Sequence, residues 1–327
     1  MSTPTVEIAT RITQLLGIRV PVVQAAMSWA SSSSALPLSV TNAGGLGSLA
    51  AGPMRPADLD RALDELADDA RGPYAVNLPL SRPNADDVLD TLAKRAVPVF
   101  IGSQGGPRRY VERMHGVGSK CIHVVASVEH AEKAQASGVD GLIVVGGEAG
   151  GHPPPQLVSS LVMLRAVRKA LPDFPIIASG GFVDGAGLAA ALTLGADAAQ
   201  FGTRFIASDE SNVHPSYRQA VVDAGVSDTR TVGTELGVIR ALRNDFTDRM
   251  EILEAKGSSI EERRGVFNAA SLKMAAFDGD VDGGKIEAGQ SAGLIDRVQP
   301  AADIVDDIVA EYRRIVEGLP VPRRVPS

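Results

Sequence analysis

Of the five histidines, only His152 follows a glycine-rich turn, Gly147-Glu148-Ala149-Gly150-Gly151, and it precedes the stiff run Pro153-Pro154-Pro155. An imidazole has the proton affinity for general acid–base work near neutral pH. Mobile glycine on one side and rigid proline on the other mark His152 as functional rather than a loop histidine bonded for shape. His123 alternates with Ile122 and Val124, so its ring either lines a cofactor site or is a satisfied core histidine. His115, His130 and His214 read as structural or surface groups. Asn77 and Gln200 are amides at the ends of apolar runs, where a buried polar group needs partners. A heteroaromatic ring with carbonyl and N–H edges would supply them, and so would backbone loops. Glu148 either orients His152 or pairs with Arg204; the spacing leaves both open.

Two further turns suit a phosphate. Ser179-Gly180-Gly181 precedes a helical stretch and lets backbone N–H groups approach an anion without Cβ interference. Gly202-Thr203, after the run Ala198-Ala199-Gln200-Phe201, repeats the arrangement and adds a hydroxyl. A phosphate site from the loops after the last two strands recurs in (β/α)₈ barrels.

These turns need elements to hold them. Leu142–Val145, Pro175–Ala178 and Ala198–Phe201 are short apolar runs closed by glycine, separated by helical patterns over Leu157–Leu171 and Gly185–Leu194. Upstream, Pro21–Met27, Leu46–Ala50, Tyr74–Leu78, Val97–Ile101 and Lys120–Val125 read as five more strands. Helices over Ser32–Asn42, Pro56–Asp69, Ala85–Lys94, Arg108–His115 and Val128–Ser137 fall between them. Eight strand–helix alternations of about 25 residues predict an α/β fold of (β/α)₈ type. An open dinucleotide-binding sheet needs G-x-G-x-x-G after its first strand, and Gln24-Ala25-Ala26-Met27-Ser28 stands there instead. Residues 209–296 show helical segments (Tyr217–Ala224, Thr247–Gly257, Ile260–Ala270) and no convincing strand, which predicts a smaller inserted helical domain. Residues 1–208 with 297–327 then form the barrel. Ala302–Val316 supplies its eighth helix, and the tail LPVPRRVPS is expected to fray.

Composition narrows the function. Apolar residues are 44%, charged residues 22% and aromatics 4% of 327 residues, as in parallel α/β enzymes, and the formal net charge of −7 argues against nonspecific nucleic-acid binding. The single cysteine, Cys121, excludes an intramolecular disulfide and a multi-cysteine zinc site, and scattered histidines argue against any metal centre. No signal peptide and no membrane span are read, so a cytoplasmic enzyme acting on a small molecule is expected.

The segments PVVQAAM, NAGGLGSL, AVNLPL, GGEAGGH, IIASGGFVDG, AAQFGTRFIAS and EAGQSAGLI, between Pro21 and Ile295, resemble the nitronate monooxygenase family. These FMN-dependent (β/α)₈ barrels include enoyl-acyl-carrier-protein reductases and NADH:quinone reductases. The resemblance implies FMN, its phosphate on Gly180-Gly181 and Gly202-Thr203, and ring contacts from Ala26, Met27, Asn77, Gly150 and Gly151. His123, Ser179, Gln200 and Phe201 complete the expected cofactor-lining set. His152 falls on the family's catalytic histidine. Three departures bear on the substrate: Val145 stands where the monooxygenases have Gln, Pro153-Pro154-Pro155 replaces a small residue and glycine, and Trp29 either covers the ring or packs. The implied activity is oxidation of alkyl nitronates with O₂. The alternative is NAD(P)H-dependent reduction of quinones or enoyl thioesters, and a third reading is a phosphate-ligand barrel without redox chemistry.

Overall fold

Runs of three to six residues, apolar on both faces, form the eight parallel strands of a barrel in the computed structural model, which describes residues 6–320. They are β1 (Val22–Gln24), β2 (Ser48–Ala50), β3 (Ala75–Pro79), β4 (Val99–Ser103), β5 (Lys120–Val125), β6 (Gly141–Val145), β7 (Ile176–Ser179) and β8 (Ala198–Phe201). Each strand from β2 to β8 pairs with the next, and β8 pairs with β1 through Val23 opposite Gln200. The ring closes between β1 and β2 at a single bridge, Val23 to Leu46. There Gln24 uses its side-chain amide as a substitute backbone: Oε1 accepts from Ser48 N at 2.7 Å and Nε2 donates to Ser48 O at 3.1 Å.

Strand alternation splits the core in two. Val23, Ile101, Ile122, Ile143, Ile177 and Ala198 fill the barrel interior. Leu49, Val76, Phe100, Cys121, Leu142, Ala199 and Phe201 face the helices outside. Burial there pushes the Cys121 thiol up to about 12, as befits a core residue. Ile12 and Leu16, from the Arg11–Leu16 helix, join the interior layer and plug its N-terminal end. Thr10 Oγ1 pins that helix by donating to Asp197 O at 2.6 Å. A ligand therefore enters at the other end, over the strand tips.

The Pro56–Asp69 and Ala85–Lys94 helices have the predicted bounds. The first small-residue helix starts at Ala35 rather than Ser32, because the Ser31 and Ser32 hydroxyls accept from Met27 N (2.9 Å) and Trp29 N (3.0 Å) and shape a loop instead. The final helix, Ala301–Gly318, packs on the Gly185–Thr193 and Ala35–Asn42 helices and closes the outer ring as its eighth member. Most of the tail expected to fray, from residue 321 on, lies outside the described residues.

Residues 209–296 depart from the all-helical expectation. Besides the Pro215–Asp223, Asp245–Ala255, Ile260–Ala269 and Leu272–Ala276 helices, they carry an antiparallel hairpin, β9 (Thr229–Val232) with β10 (Ile239–Leu242). Three of the four residues of β9 are polar and β10 also has four residues, too short to show a period. What makes them strands is burial against Phe246, Met250 and Phe267. The other side of the lobe shares a core with barrel loops, where Tyr217, Ile286 and Ala288 meet Ala30, Val183 and Ile206.

Candidate active site

A cleft of about 810 Å³ opens at the C-terminal strand ends, with the lobe forming one wall. Its phosphate-sized end is made of backbone. Gly180 and Gly181 both sit in the left-handed region, at φ +100° and +80°. A Cβ on Gly180 would lie 2.9 Å from Ser160 Oγ and 3.1 Å from Gly146 O, so this turn needs glycine for space as well as conformation. Among the described residues, the N–H groups of Gly180, Gly181, Gly202 and Thr203 donate no hydrogen bond to the protein. They converge as free donors on one region, which is the chemistry an anionic oxygen requires.

Glu148 does neither thing expected of it. Its carboxylate accepts from Ser160 N (2.9 Å) and Ser160 Oγ (2.8 Å), and Ser160 Oγ also reaches Gly180 O at 2.7 Å. The acid thus ties the His152 turn to the phosphate turn. Arg204 donates to Arg297 O instead.

Two amides present complementary edges further along. Ser179 Oγ donates to Gln200 Oε1 at 2.9 Å, which leaves the Gln200 NH₂ facing the cleft as a donor. Asn77 Nδ2 donates to Ile101 O at 3.0 Å, which leaves Oδ1 as an acceptor. His123 is a lining residue and a satisfied one at once: buried, with Nδ1 3.0 Å from Tyr110 Oη. Burial draws its pKa down to about 4, so the ring is neutral. Tyr110 reaches it across Gly102, where any Cβ would strike the phenol ring at 2.5 Å.

The predicted residues Ala26, Met27, Gly150, Gly151, Ser179, Gly202 and Thr203 also line the cleft. Phe201 does not. Its side chain is fully buried in the outer layer, because alternation that turns Gln200 inward must turn Phe201 outward. Trp29 stacks near Phe277 of the lobe, with ring centroids 5.4 Å apart, and packs rather than covering the cleft. Of the remaining histidines, His115 bonds Asp140 (2.8 Å), His214 accepts from Ser216 N, and His130 stands at the cleft rim.

His152 lines the cleft as an exposed residue and, among the described residues, forms no hydrogen bond. Enclosure by the walls lowers its pKa and the nearby Lys285 ammonium lowers it further, so the neutral imidazole prevails at pH 7. The turn that carries it is clamped by the lobe. Gly151 and Arg240 of β10 exchange backbone bonds, Arg240 N to Gly151 O at 2.7 Å and Gly151 N to Arg240 O at 3.1 Å. A Cβ on Gly150 would lie 2.5 Å from the backbone of Ala288 and Gly289. Gly289 N in turn donates to Thr203 Oγ1 at 2.9 Å, and Gln290 N to Glu148 O at 3.0 Å. Sequence reasoning assigned no role to Glu287, Tyr217 or Ser103, which also line the cleft. Only the EAGQ segment around Glu287 gave a signal, and nothing local said which side chain faces in.

Comparison with known proteins agrees with this geometry. A dehydrogenase of Rhodococcus jostii that acts on (3aS,4S,5R,7aS)-5-hydroxy-7a-methyl-1-oxo-octahydro-1H-indene-4-carboxyl-CoA is 30% identical over 95% of this chain and 97% of its own length. The structure of FabK from Thermotoga maritima superposes with a TM-score of 0.88 at 38% identity, covering 95% of this chain and 98% of that one. Nitroalkane oxidase from Streptomyces ansochromogenes gives 0.83 at 28% identity, covering 95% and 100%. The nitronate monooxygenase family model matches residues 9–311, and the chain is an oxidoreductase belonging to that family.

Proposed function

We propose that the chain is an FMN-dependent oxidoreductase that oxidises alkyl nitronates with O₂, using His152 as its proton-handling group. The observation that carries this reading is an unbonded imidazole lining the same cleft as a glycine-built anion cradle. The residues present suit FMN. Four free backbone N–H groups match a phosphate, the Asn77 acceptor matches a ring N–H, and the Gln200 donor matches a ring carbonyl or nitrogen. When bound, FMN supplies the two-electron chemistry that no side chain here can perform.

The chain's own part is positional and electrostatic. Ser179 fixes the Gln200 amide, Glu148 couples the two glycine turns, and the lobe fixes the height of Gly150-Gly151 above the strand ends. Toward a neutral nitroalkane the His152 lone pair can take the proton from the carbon beside the nitro group and so form the nitronate; toward a nitronate already formed, the ring N–H donates to the nitro oxygens.

A second reading, reduction or dehydrogenation of an acyl thioester, is supported by the size of the cleft. Its volume lies high in the ~300–1,000 Å³ range of small-molecule sites, and it extends past Pro153 and Pro154 to His130 and Lys133 at the rim. Val145 in the cleft wall removes a polar contact expected for nitronates. Anaerobic stopped-flow separates the readings. Bleaching of the flavin by ethyl nitronate, with NAD(P)H inert, supports the first. Bleaching by NAD(P)H and reoxidation by crotonyl-CoA supports the second. A purified protein that neither contains nor takes up FMN sinks both.

A further inference from the structure

Glu287 carries a carboxylate that the protein leaves unpartnered inside the cleft. Ile286 and Ala288 are buried in the lobe core, while Glu287 between them lines the cleft. Lys285 is buried over the Phe267 ring, Nζ 3.5 Å from the centroid. Tyr217 Oη donates to the Glu287 main-chain carbonyl at 2.8 Å, fixing the backbone and leaving the side chain free. No hydrogen bond reaches either carboxylate oxygen among the described residues. Oε2 would be 3.1 Å from a methyl group on Gly151, which places the carboxyl beside the residue that precedes His152.

The Glu287 side chain is only partly buried, and the cleft is where it is open. It faces space bounded by His152, the glycine turn and Ser291. We propose that Glu287 is a second catalytic group, which in its acid form donates a hydrogen bond to a substrate oxygen, the nitro or thioester oxygen next to the reacting carbon. The assignment rests on the flavin-oxidoreductase reading above and adds to the His152 imidazole a second donor lining the same cleft. The groups facing Glu287 are His152, Lys285 and the Tyr217 hydroxyl. The Arg240 guanidinium is turned away to Gly147 O and Thr229 Oγ1. Enclosure raises the carboxyl pKa to about 7 despite the opposing pull of Lys285, so the acid form is available at neutral pH.

The test uses FMN-loaded wild type, Glu287→Gln and Glu287→Ala. In anaerobic flavin reduction by ethyl nitronate, or reoxidation by crotonyl-CoA, the wild-type rate should fall as pH rises through about 7. Glu287→Gln, which keeps an N–H donor at every pH, should retain the low-pH rate and lose that limb. Glu287→Ala should lose about 10²-fold at low pH, where wild type carries the acid, and approach wild type at high pH, with FMN still bound. Profiles that superpose for all three proteins overturn the proposal. A second readout needs no turnover: infrared difference spectra between about pH 5 and 9 should show a protonated-carboxyl band in wild type that is missing from Glu287→Gln. An identical band in both overturns the proposal as well. Failure of FMN uptake overturns the functional reading alone, and the infrared result then decides the state of Glu287.

Discussion

The two ends of the cleft are built by different means. The anion end is backbone on the tips of β7 and β8, set by glycine torsions within a few residues of each strand. The end proposed for the chemistry is side chains, His152 and Glu287, whose positions depend on a lobe inserted after the barrel strands and folded back onto Gly150-Gly151. A barrel can hold a nucleotide with local means. Setting an imidazole and a carboxyl against the same small volume takes contacts between residues about a hundred positions apart.

That contrast is broken most severely by His152→Ala. Loss of the proton-handling group should cut anaerobic flavin reduction by nitroethane about 10²–10⁴-fold while the visible FMN spectrum and affinity stay unchanged. Equal rates for the variant and wild type on both substrate classes would mean the chemical end lies elsewhere. The wild-type profile carries a sign of its own. A base works unprotonated, and enclosure with Lys285 lowers the His152 pKa. The acid limb of activity should therefore lie at a lower pH than an unperturbed histidine would give.

Gly180→Val probes the opposite end. A β-branched residue at φ +100° costs about 1–3 kcal/mol in backbone strain alone, and its Cβ meets Ser160 Oγ at 2.9 Å. FMN affinity, measured by fluorescence quenching on titration, should weaken by about 10–10²-fold. Enzyme saturated with FMN should then reduce at close to the wild-type rate. A variant with normal affinity and slow chemistry would invert the division between the two ends.

How far each end could be read from sequence follows the same division. That Ser179-Gly180-Gly181 and Gly202-Thr203 line the cleft was legible because a strand tip, a glycine and the next helix are neighbours in the chain. The place of His152 on the cleft was legible through its flanking glycines and prolines. The Phe201 assignment failed although the signal was present: Gln200 facing inward forces the next side chain outward. Glu148 was ambiguous because its partner, Ser160, is reached only when the loop folds back. Glu287 and the β9–β10 hairpin were silent, since their orientation comes from Phe246, Phe267 and the Gly151–Arg240 pairing rather than from any local period.

Gln200→Met asks for less. It removes one donor while preserving bulk, and it leaves the Ser179 hydroxyl to find another acceptor. A net loss of about 1 kcal/mol per hydrogen bond predicts FMN affinity lower by about five- to tenfold. No change would remove Gln200 from the cofactor's surroundings.

The smallest expected effect concerns folding rather than turnover, and it separates a cleft carboxyl from a supporting one. Glu287 in the folded protein holds its proton up to about pH 7, above the ordinary glutamate value that applies to the unfolded chain. A group with a raised folded pKa contributes stability that is fully present below the unfolded value and is lost as pH rises through the folded one. Wild type should therefore lose thermal stability between about pH 5 and 8 relative to Glu287→Gln, which has no proton to lose. A widening gap of a few degrees in Tm in favour of the variant at the alkaline end is the expected outcome. The reverse, with the variant less stable at every pH, would show that the carboxylate is held by a partner and supports the fold, and Glu287 would then belong to the lobe's framework rather than to the chemistry.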